Sequence, residues 1–316
     1  MTTFVPKSPY QNNFIWLWNV YRNSMQDEST LVYVNGQLLP RDKATVSVYD
    51  AGFLSGDGIF EGLRIYNSKI FRLSEHIKRF LDNARVLEFA PKYTFDDVRD
   101  AIRKVVEANG HLGVNYLRLQ MSRGVTKSPA MDPTYSLFSP TVVIYPEIKE
   151  PIYDKKGIRL MTSHIRRIPP DALDQKIHTF NKMNSLLAKL ESNRYGLDDA
   201  IMLDKEGFVA ETSTANIFFV KGDTISTSFP NACLNGITRQ TILAETPKLG
   251  YKAVEKNHSL FDVYTSDEIF LTGTVGEIAP VIEVDGRKIG SGTVGEVSKN
   301  VSNRYMKIVN EQGEVP

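Results

Sequence analysis

The chain has 316 residues, 41% of them hydrophobic and 24% charged, with 38 lysines and arginines against 37 aspartates and glutamates. That balance excludes a whole-protein field for nucleic acid or an anionic membrane, and the length favours two domains over one. A single cysteine, Cys233, excludes an intramolecular disulfide and fits a reducing, cytoplasmic setting.

Residues 1–30 read as an accessory segment. Its apolar run Phe14-Ile15-Trp16-Leu17-Trp18 is far short of the roughly 20 residues a spanning helix needs, and no secretory order of basic, apolar and small residues precedes it. A soluble protein without a membrane anchor is therefore expected. Leu31-Val32-Tyr33-Val34, Asn35-Gly36 and Gln37-Leu38-Leu39 predict a strand, a tight turn and a second strand. A glycine-punctuated stretch from Gly52 to Gly62 leads into a further hairpin over Leu63–Phe71. Ser74 is expected to cap a helix with Ile77, Phe80, Leu81, Ala84 and Leu87 on its apolar face and Arg79 near its first turn. A second helix is predicted over Phe95–Asn109, ended by Gly110, and strands over Tyr116–Met121 and Thr141–Tyr145.

The composition changes at PEIKEPIYDKK, which suggests a small domain over 31–146, a linker over 147–156 and a large domain over 157–316. There Ile158–Ser163 and Lys176–Phe180 read as strands, and Asn181 as the cap of a helix packing Met183, Leu186, Leu187 and Leu190. Ile201–Asn216 reads as a hairpin that leaves Glu211 at a strand end among apolar neighbours, where a carboxylate needs a cationic partner. Leu234-Asn235-Gly236-Ile237-Thr238 enters a helix whose free amides favour an anion, and Thr272-Gly273-Thr274-Val275-Gly276 leaves a strand with further donors. Antiparallel hairpins with segregated helices describe an α+β fold. No metal-ligand cluster is evident. One acid, two anion-binding turns and Arg79 together suggest a phosphorylated cofactor with a protonated ring nitrogen.

At this point the chain resembles the fold-type IV pyridoxal-phosphate enzymes: branched-chain aminotransferases, D-amino-acid aminotransferases and aminodeoxychorismate lyases. The resemblance spans about Val32 to Lys307. It lies in Gly56-Asp-Gly-Ile-Phe-Glu-Gly-Leu-Arg-Ile-Tyr66, Glu75-His-Ile-Lys-Arg79, Asp204–Asn216, Leu234-Asn-Gly-Ile-Thr-Arg239 and Thr272-Gly-Thr-Val-Gly-Glu-Ile278. The Phe60–Tyr66 form looks most like the branched-chain group. The resemblance implies a two-domain fold with pyridoxal 5′-phosphate between the domains. It implies Glu211 on the ring nitrogen, and Arg79, Asn216, Gly236, Ile237, Thr238, Gly273 and Thr274 around the cofactor. It also implies that Phe60, Arg64, Tyr116, Arg118 and Val275 face the substrate, and that the protein is a homodimer to which the loop Thr126–Tyr135 contributes. Where branched-chain enzymes carry a tyrosine before Gly-Asp-Gly, this chain has Ser55.

Members of the family carry the cofactor-linking lysine in a run like Ile-Lys-x-Leu-Asn. The corresponding run is Ile177-His178-Thr179-Phe180-Asn181, so His178 falls on the lysine position. An imidazole can move a proton but cannot link to the cofactor aldehyde. Lys182, one residue after Asn181, is the nearest substitute in register; Lys176, two residues before His178, has the poorer reach. Three readings follow. The first is an aminotransferase acting on an amino acid, branched-chain-like, and a 2-oxo acid, with Lys182 and His178 as catalytic residues. The second is a lyase of the aminodeoxychorismate type, and the third a non-catalytic protein that binds the cofactor or another phosphorylated ligand.

Overall fold

The computed structural model describes residues 29–89, 93–137 and 139–316, so all but the end of the accessory segment lies outside the described residues. The first part of the chain contributes β1 (Leu31–Val34), β2 (Gln37–Pro40), β3 (Gly58–Tyr66), β4 (Lys69–Phe71), β5 (Tyr116–Ser122) and β6 (Thr141–Glu147). Its helices are α1 (Ala51–Ser55), α2 (Leu73–Val86) and α3 (Phe95–Asn109). The second part contributes β7 (Ile158–Thr162), β8 (Asp199–Leu203), β9 (Val209–Thr212), β10 (Asn216–Lys221), β11 (Thr224–Thr227) and β12 (Lys252–Glu255). It continues with β13 (Glu268–Gly273), β14 (Glu277–Val284) and β15 (Arg287–Lys288). Its helices are α4 (Met183–Arg194), α5 (Ile237–Glu245), α6 (Leu260–Thr265) and α7 (Glu296–Glu311). A short last strand, β16 (Gly313–Glu314), returns to pair with β4.

Among the described residues these strands form two sheets. One is seven-stranded, in the order β16-β4-β3-β5-β6-β1-β2, and its pairings are antiparallel. The other is nine-stranded, in the order β12-β11-β10-β13-β14-β7-β8-β9 with β15 beside β14; β11–β12, β14–β7 and β7–β8 run parallel. The first sheet packs Leu63, Leu117 and Leu119 against Ile77 and Phe80 of α2 and Ile102 of α3. In β10 the two-residue period splits a continuous apolar run: Ile217 and Phe219 join one core, while Phe218 and Val220 join another that includes Tyr305 of α7. Both faces of the second sheet are thereby covered.

The predicted hairpins form. Asn35 and Gly36 take φ of 47° and 98°, the left-handed pair that a two-residue turn between twisted strands requires. Three local expectations give way to tertiary contacts. Ser74 does not cap α2: the cap position is Arg72, and the Ser74 hydroxyl donates to Glu314, across from the chain's end. Asn181 does not cap α4 but donates from Nδ2 to the Gly56 carbonyl at 3.0 Å. Lys176–Phe180 is no strand; it runs beside β3 through a single bridge, with Phe60 N–H donating to His178 O at 2.9 Å and Phe180 N–H to Gly58 O at 2.8 Å.

The larger correction concerns α4. Its buried side chains are Ser185, Ala188 and Ser192, whereas Met183, Leu186, Leu187 and Leu190 are 67, 54, 43 and 52% exposed. The small residues let the helix lie close on β8, and the apolar stripe faces outward.

Candidate active site

A cavity of about 460 Å³ is walled by residues of both sheets. One end is made by backbone. Gly236 precedes α5 in an extended conformation with no side chain capping the helix, so its first amides are free of side-chain acceptors. A Cβ at Gly236 would stand 2.3 Å from Asn216 Oδ1, which explains the glycine. Across from it, Thr272, Gly273, Thr274 and Val275 line the cavity, and the buried Thr272 Oγ1 has no hydrogen-bond partner. Arg79 of α2 adds a guanidinium, whose Nη1 donates to Asn235 O at 3.1 Å. Uncapped amides, an orphaned buried hydroxyl and a cation form a donor set that fits a phosphate monoester.

Another part of the wall is acidic. Glu211 projects from β9, opposite Met202 of β8, and is 4% exposed. Its cationic partner is Arg167, which lies against Glu211 Oε1 and also donates to Ser185 Oγ at 2.8 Å; Asn216 Nδ2 approaches Glu211 Oε2 at 3.2 Å. The carboxylate is thus held from two sides with an edge toward the cavity, a geometry that fits a protonated ring nitrogen. Sequence reasoning anticipated a cation for Glu211 but not Arg167, which stands 44 residues earlier in an Arg-Arg pair that resembles any solvated basic doublet.

The cavity lining holds a second buried carboxylate. Glu61 of β3 is fully buried and accepts Arg79 Nε at 2.7 Å and Nη2 at 2.8 Å, with His76 Nδ1 at 2.7 Å and His178 Nδ1 at 3.7 Å. Burial alone would raise the Glu61 carboxyl; the Arg79 charge, the nearby His178 ring and hydrogen bonds with His76 and Arg79 hold it well below the usual carboxylate range. Sequence reasoning passed over Glu61, although an acid in the middle of an apolar strand was a readable signal.

His178 and Lys182 both line the cavity. The His178 ring packs on Phe60 with centroids 3.8 Å apart. Burial pushes its imidazole down to about 3, against the pull of Glu61. Lys182 is half-buried with its Nζ 5.5 Å from the Phe60 ring centroid. Burial draws its ammonium down to about 8; Glu211 pulls the other way, while Arg167 and Arg118 add to the depression. The lysine is therefore poised to exchange a proton in neutral to mildly basic water, whereas the histidine stays neutral there.

Phe60, Tyr116 and Arg118 make the side wall, with the Arg118 guanidinium 3.4 Å from the Phe60 ring centroid. Gly62 faces Arg118 in the strand register, and a Cβ there would meet the Tyr116 hydroxyl at 2.7 Å. Arg64 does not reach the cavity. It lies further along β3, opposite Tyr116, and its Nη1 donates to Lys149 O at 2.7 Å, so its charge serves the linker. Ser55 ends α1 and returns its hydroxyl to Ala51 O at 3.0 Å. The loop Thr126–Tyr135 contributes no residue to this chain's own cavity.

Comparison with known proteins agrees with this arrangement. The family model "Amino-transferase class IV" matches residues 58–284. A branched-chain-amino-acid aminotransferase-like protein of Arabidopsis thaliana is 41% identical over 91% of this chain, which spans only 52% of that relative's length. A putative branched-chain-amino-acid aminotransferase of Methanocaldococcus jannaschii is 38% identical over 89% of this chain and 97% of its own. Among solved structures, the T.th. branched-chain amino acid aminotransferase with pyridoxamine 5′-phosphate superposes with a TM-score of 0.83 at 34% identity, covering 89% of this chain and 94% of that one. The Escherichia coli branched-chain amino acid aminotransferase gives a TM-score of 0.84 at 28% identity, over 90% and 96% of the two chains. With the fold, the phosphate-fitting end and the buried acid in place, these matches show that the chain belongs to the class IV aminotransferase family, with the fold-type IV architecture.

Proposed function

We propose that this chain binds pyridoxal 5′-phosphate and transfers an amino group between a branched-chain-like amino acid and a 2-oxo acid, using Lys182 in place of the family's usual lysine. The observation that carries the reading is Lys182 itself, half-buried in the cavity that also holds Glu211 and the open end of α5, with its ammonium drawn down to about 8. When bound, the cofactor supplies an electron-poor ring that takes up the electron pair left as the Cα–H bond breaks. The uncapped amides of α5, Thr274 and Arg79 hold the phosphate. Glu211, set by Arg167 and Asn216, keeps the ring nitrogen protonated. Lys182 takes the proton from Cα in its free-amine form and returns it on the other side of the transfer. His178, neutral at working pH, orients and excludes water more than it carries a proton. Arg118 and Tyr116 receive the substrate carboxylate, and Phe60 and Val275 its apolar side chain.

We also propose a homodimer, in which the outward stripe of α4 is covered by a second copy. Exposed Met183, Leu187 and Leu190 form a continuous face of the kind that soluble monomers avoid, and Leu186 of the same stripe also lines the cavity. Cys233, the lone cysteine, is buried, and we assign the protein to the cytoplasm on the reducing setting it suits. The activity is tested by supplying cofactor, a branched-chain amino acid and a 2-oxo acid and following the new amino acid by chromatography. Transfer that depends on both partners supports the reading. Bound cofactor without transfer moves the weight to a lyase or to a non-catalytic binder.

A further inference from the structure

The linker between the two sheets carries two side chains that reach into the second sheet. Tyr153 Oη donates to Asp199 Oδ2 at 2.5 Å and meets the Thr214 hydroxyl, gripping the loop that follows Glu211. Two residues on, Lys155 Nζ donates to Glu277 Oε2 at 2.8 Å, to the Ile278 carbonyl at 3.1 Å and to the Gly276 carbonyl at 3.5 Å. From the other side, Tyr66 at the end of β3 donates its hydroxyl to Glu277 Oε1 at 3.0 Å. One carboxylate of the second sheet thus holds both the linker and the first sheet.

Glu277 directly follows the Thr272–Gly276 turn, and its backbone takes a φ of 54°. A side-chain-bearing residue stays in that left-handed region only when its surroundings over-determine it, and such strain concentrates where a site must be aimed. Here the conformation directs a carboxylate that is 8% exposed at its two partners. Gly276 before it has no room for a side chain, because a Cβ would meet the Tyr153 ring at 2.9 Å. The contacts continue from Tyr66 to the fully buried Tyr305 of α7, which packs in one core with Tyr66, with Ile278 beside Glu277 and with Ile242 of α5. A connected path therefore joins the two backbone segments that face the phosphate end.

We infer that Glu277 is a positioning residue: by holding Lys155 and Tyr66 at once, it fixes the Thr272–Gly276 turn and the start of α5 at the separation at which both reach one phosphate group. The inference rests on the phosphate reading given above. Glu277 touches no ligand, and no proton or bond passes through it.

The test uses the full chain with three substitutions. Glu277→Gln keeps an acceptor for Tyr66 but loses the charge that holds Lys155; Lys155→Met breaks the same pair from the other side; Lys155→Arg restores it. Binding is measured by equilibrium dialysis with pyridoxal 5′-phosphate and, separately, with pyridoxal, which lacks the phosphate. Both disrupting variants are expected to lose about tenfold in affinity for the phosphate ester and less than about twofold for pyridoxal, with Lys155→Arg close to the wild type. Equal losses for the two compounds would mean a general structural role and overturn the inference. Trypsin cleavage after Lys156 in ligand-free protein gives an independent readout, expected to quicken about tenfold in Glu277→Gln as the linker is released. An unchanged rate also overturns the inference. Should the wild type bind neither compound, the phosphate reading fails on its own account, and the trypsin rates alone then decide whether Glu277 ties the linker down.

Discussion

Lys182 carries its charge into a cavity that already holds Arg79, Arg118 and Arg167 against only two lining carboxylates, Glu61 and Glu211. The ammonium gains too little from those acids to offset its burial, and its proton is held more weakly than in water. Because the folded-state value, about 8, lies below the ordinary value of 10.5, the unfolded chain binds more protons between those limits, and stability rises with pH across that window. Below pH 8 the cost is fully present. Lys182→Met is therefore expected to stabilise the ligand-free protein at pH 7 by on the order of 2 kcal/mol, read as a higher midpoint in urea, while abolishing amino transfer. In the wild type the transfer rate is expected to climb with pH to a plateau above about 8, as the free amine becomes the major form. Loss of activity without any gain in stability would argue against a strained, functional lysine. At this scale the sequence disclosed Glu211 and its need for a cation, because a lone acid between apolar strands is conspicuous. It did not disclose Arg167 or the clasp of Glu61 by His76 and Arg79, since those partners meet only through the tertiary fold.

At the level of elements, α5 starts uncapped by any side chain where the sequence placed a helix start, whereas α4 turns its apolar stripe away from the core. Leu234-Asn235-Gly236-Ile237-Thr238 was legible because a glycine before a helix start leaves amides uncovered whatever surrounds it. The space around Gly236 is equally specific: a Cβ would collide with Asn216 Oδ1, and Asn216 also donates to Leu234 O at 2.8 Å. Gly236→Ala is expected to displace Asn216 and weaken cofactor binding by about tenfold or more with little loss of secondary structure, measurable by dialysis and circular dichroism. The α4 stripe was legible as a pattern but not as a direction. Helical spacing reports that four apolar side chains share a face, and nothing local states whether that face meets its own core or another molecule. The small residues Ser185, Ala188 and Ser192 on the other face were the available hint. Ser74 and Asn181 make the complementary point: a good capping residue takes a better partner when the fold supplies one.

For the whole molecule, two sheets each with a core of its own also share a third, in which Phe71 of β4 packs with Phe218 and Phe270, and the linker is fastened to both through Arg64 with the Lys149 carbonyl and Lys155 with Glu277. The cavity is bordered by Leu186 of the exposed α4 stripe, so the proposed dimer and the proposed chemistry share a surface. Leu190→Asp, at a position 52% exposed and outside the cavity lining, is expected to convert a dimer into a monomer in analytical ultracentrifugation and to lower activity without lowering the monomer's fold content. A wild type that sediments as a monomer would contradict the proposed assembly. The motif order along the chain disclosed the architecture at this scale; the proposed partner of α4 was beyond it, because helical spacing does not say which patch of a second copy meets that face.

Everything proposed for the chemistry turns on whether Lys182 links to the cofactor. The direct measurement is borohydride reduction of the protein loaded with pyridoxal 5′-phosphate, followed by peptide mapping by mass spectrometry. The predicted result is a stable pyridoxyl label on Lys182, lost in Lys182→Met and retained in His178→Gln. Bound cofactor with no label on Lys182, or a label on Lys176 instead, would contradict it.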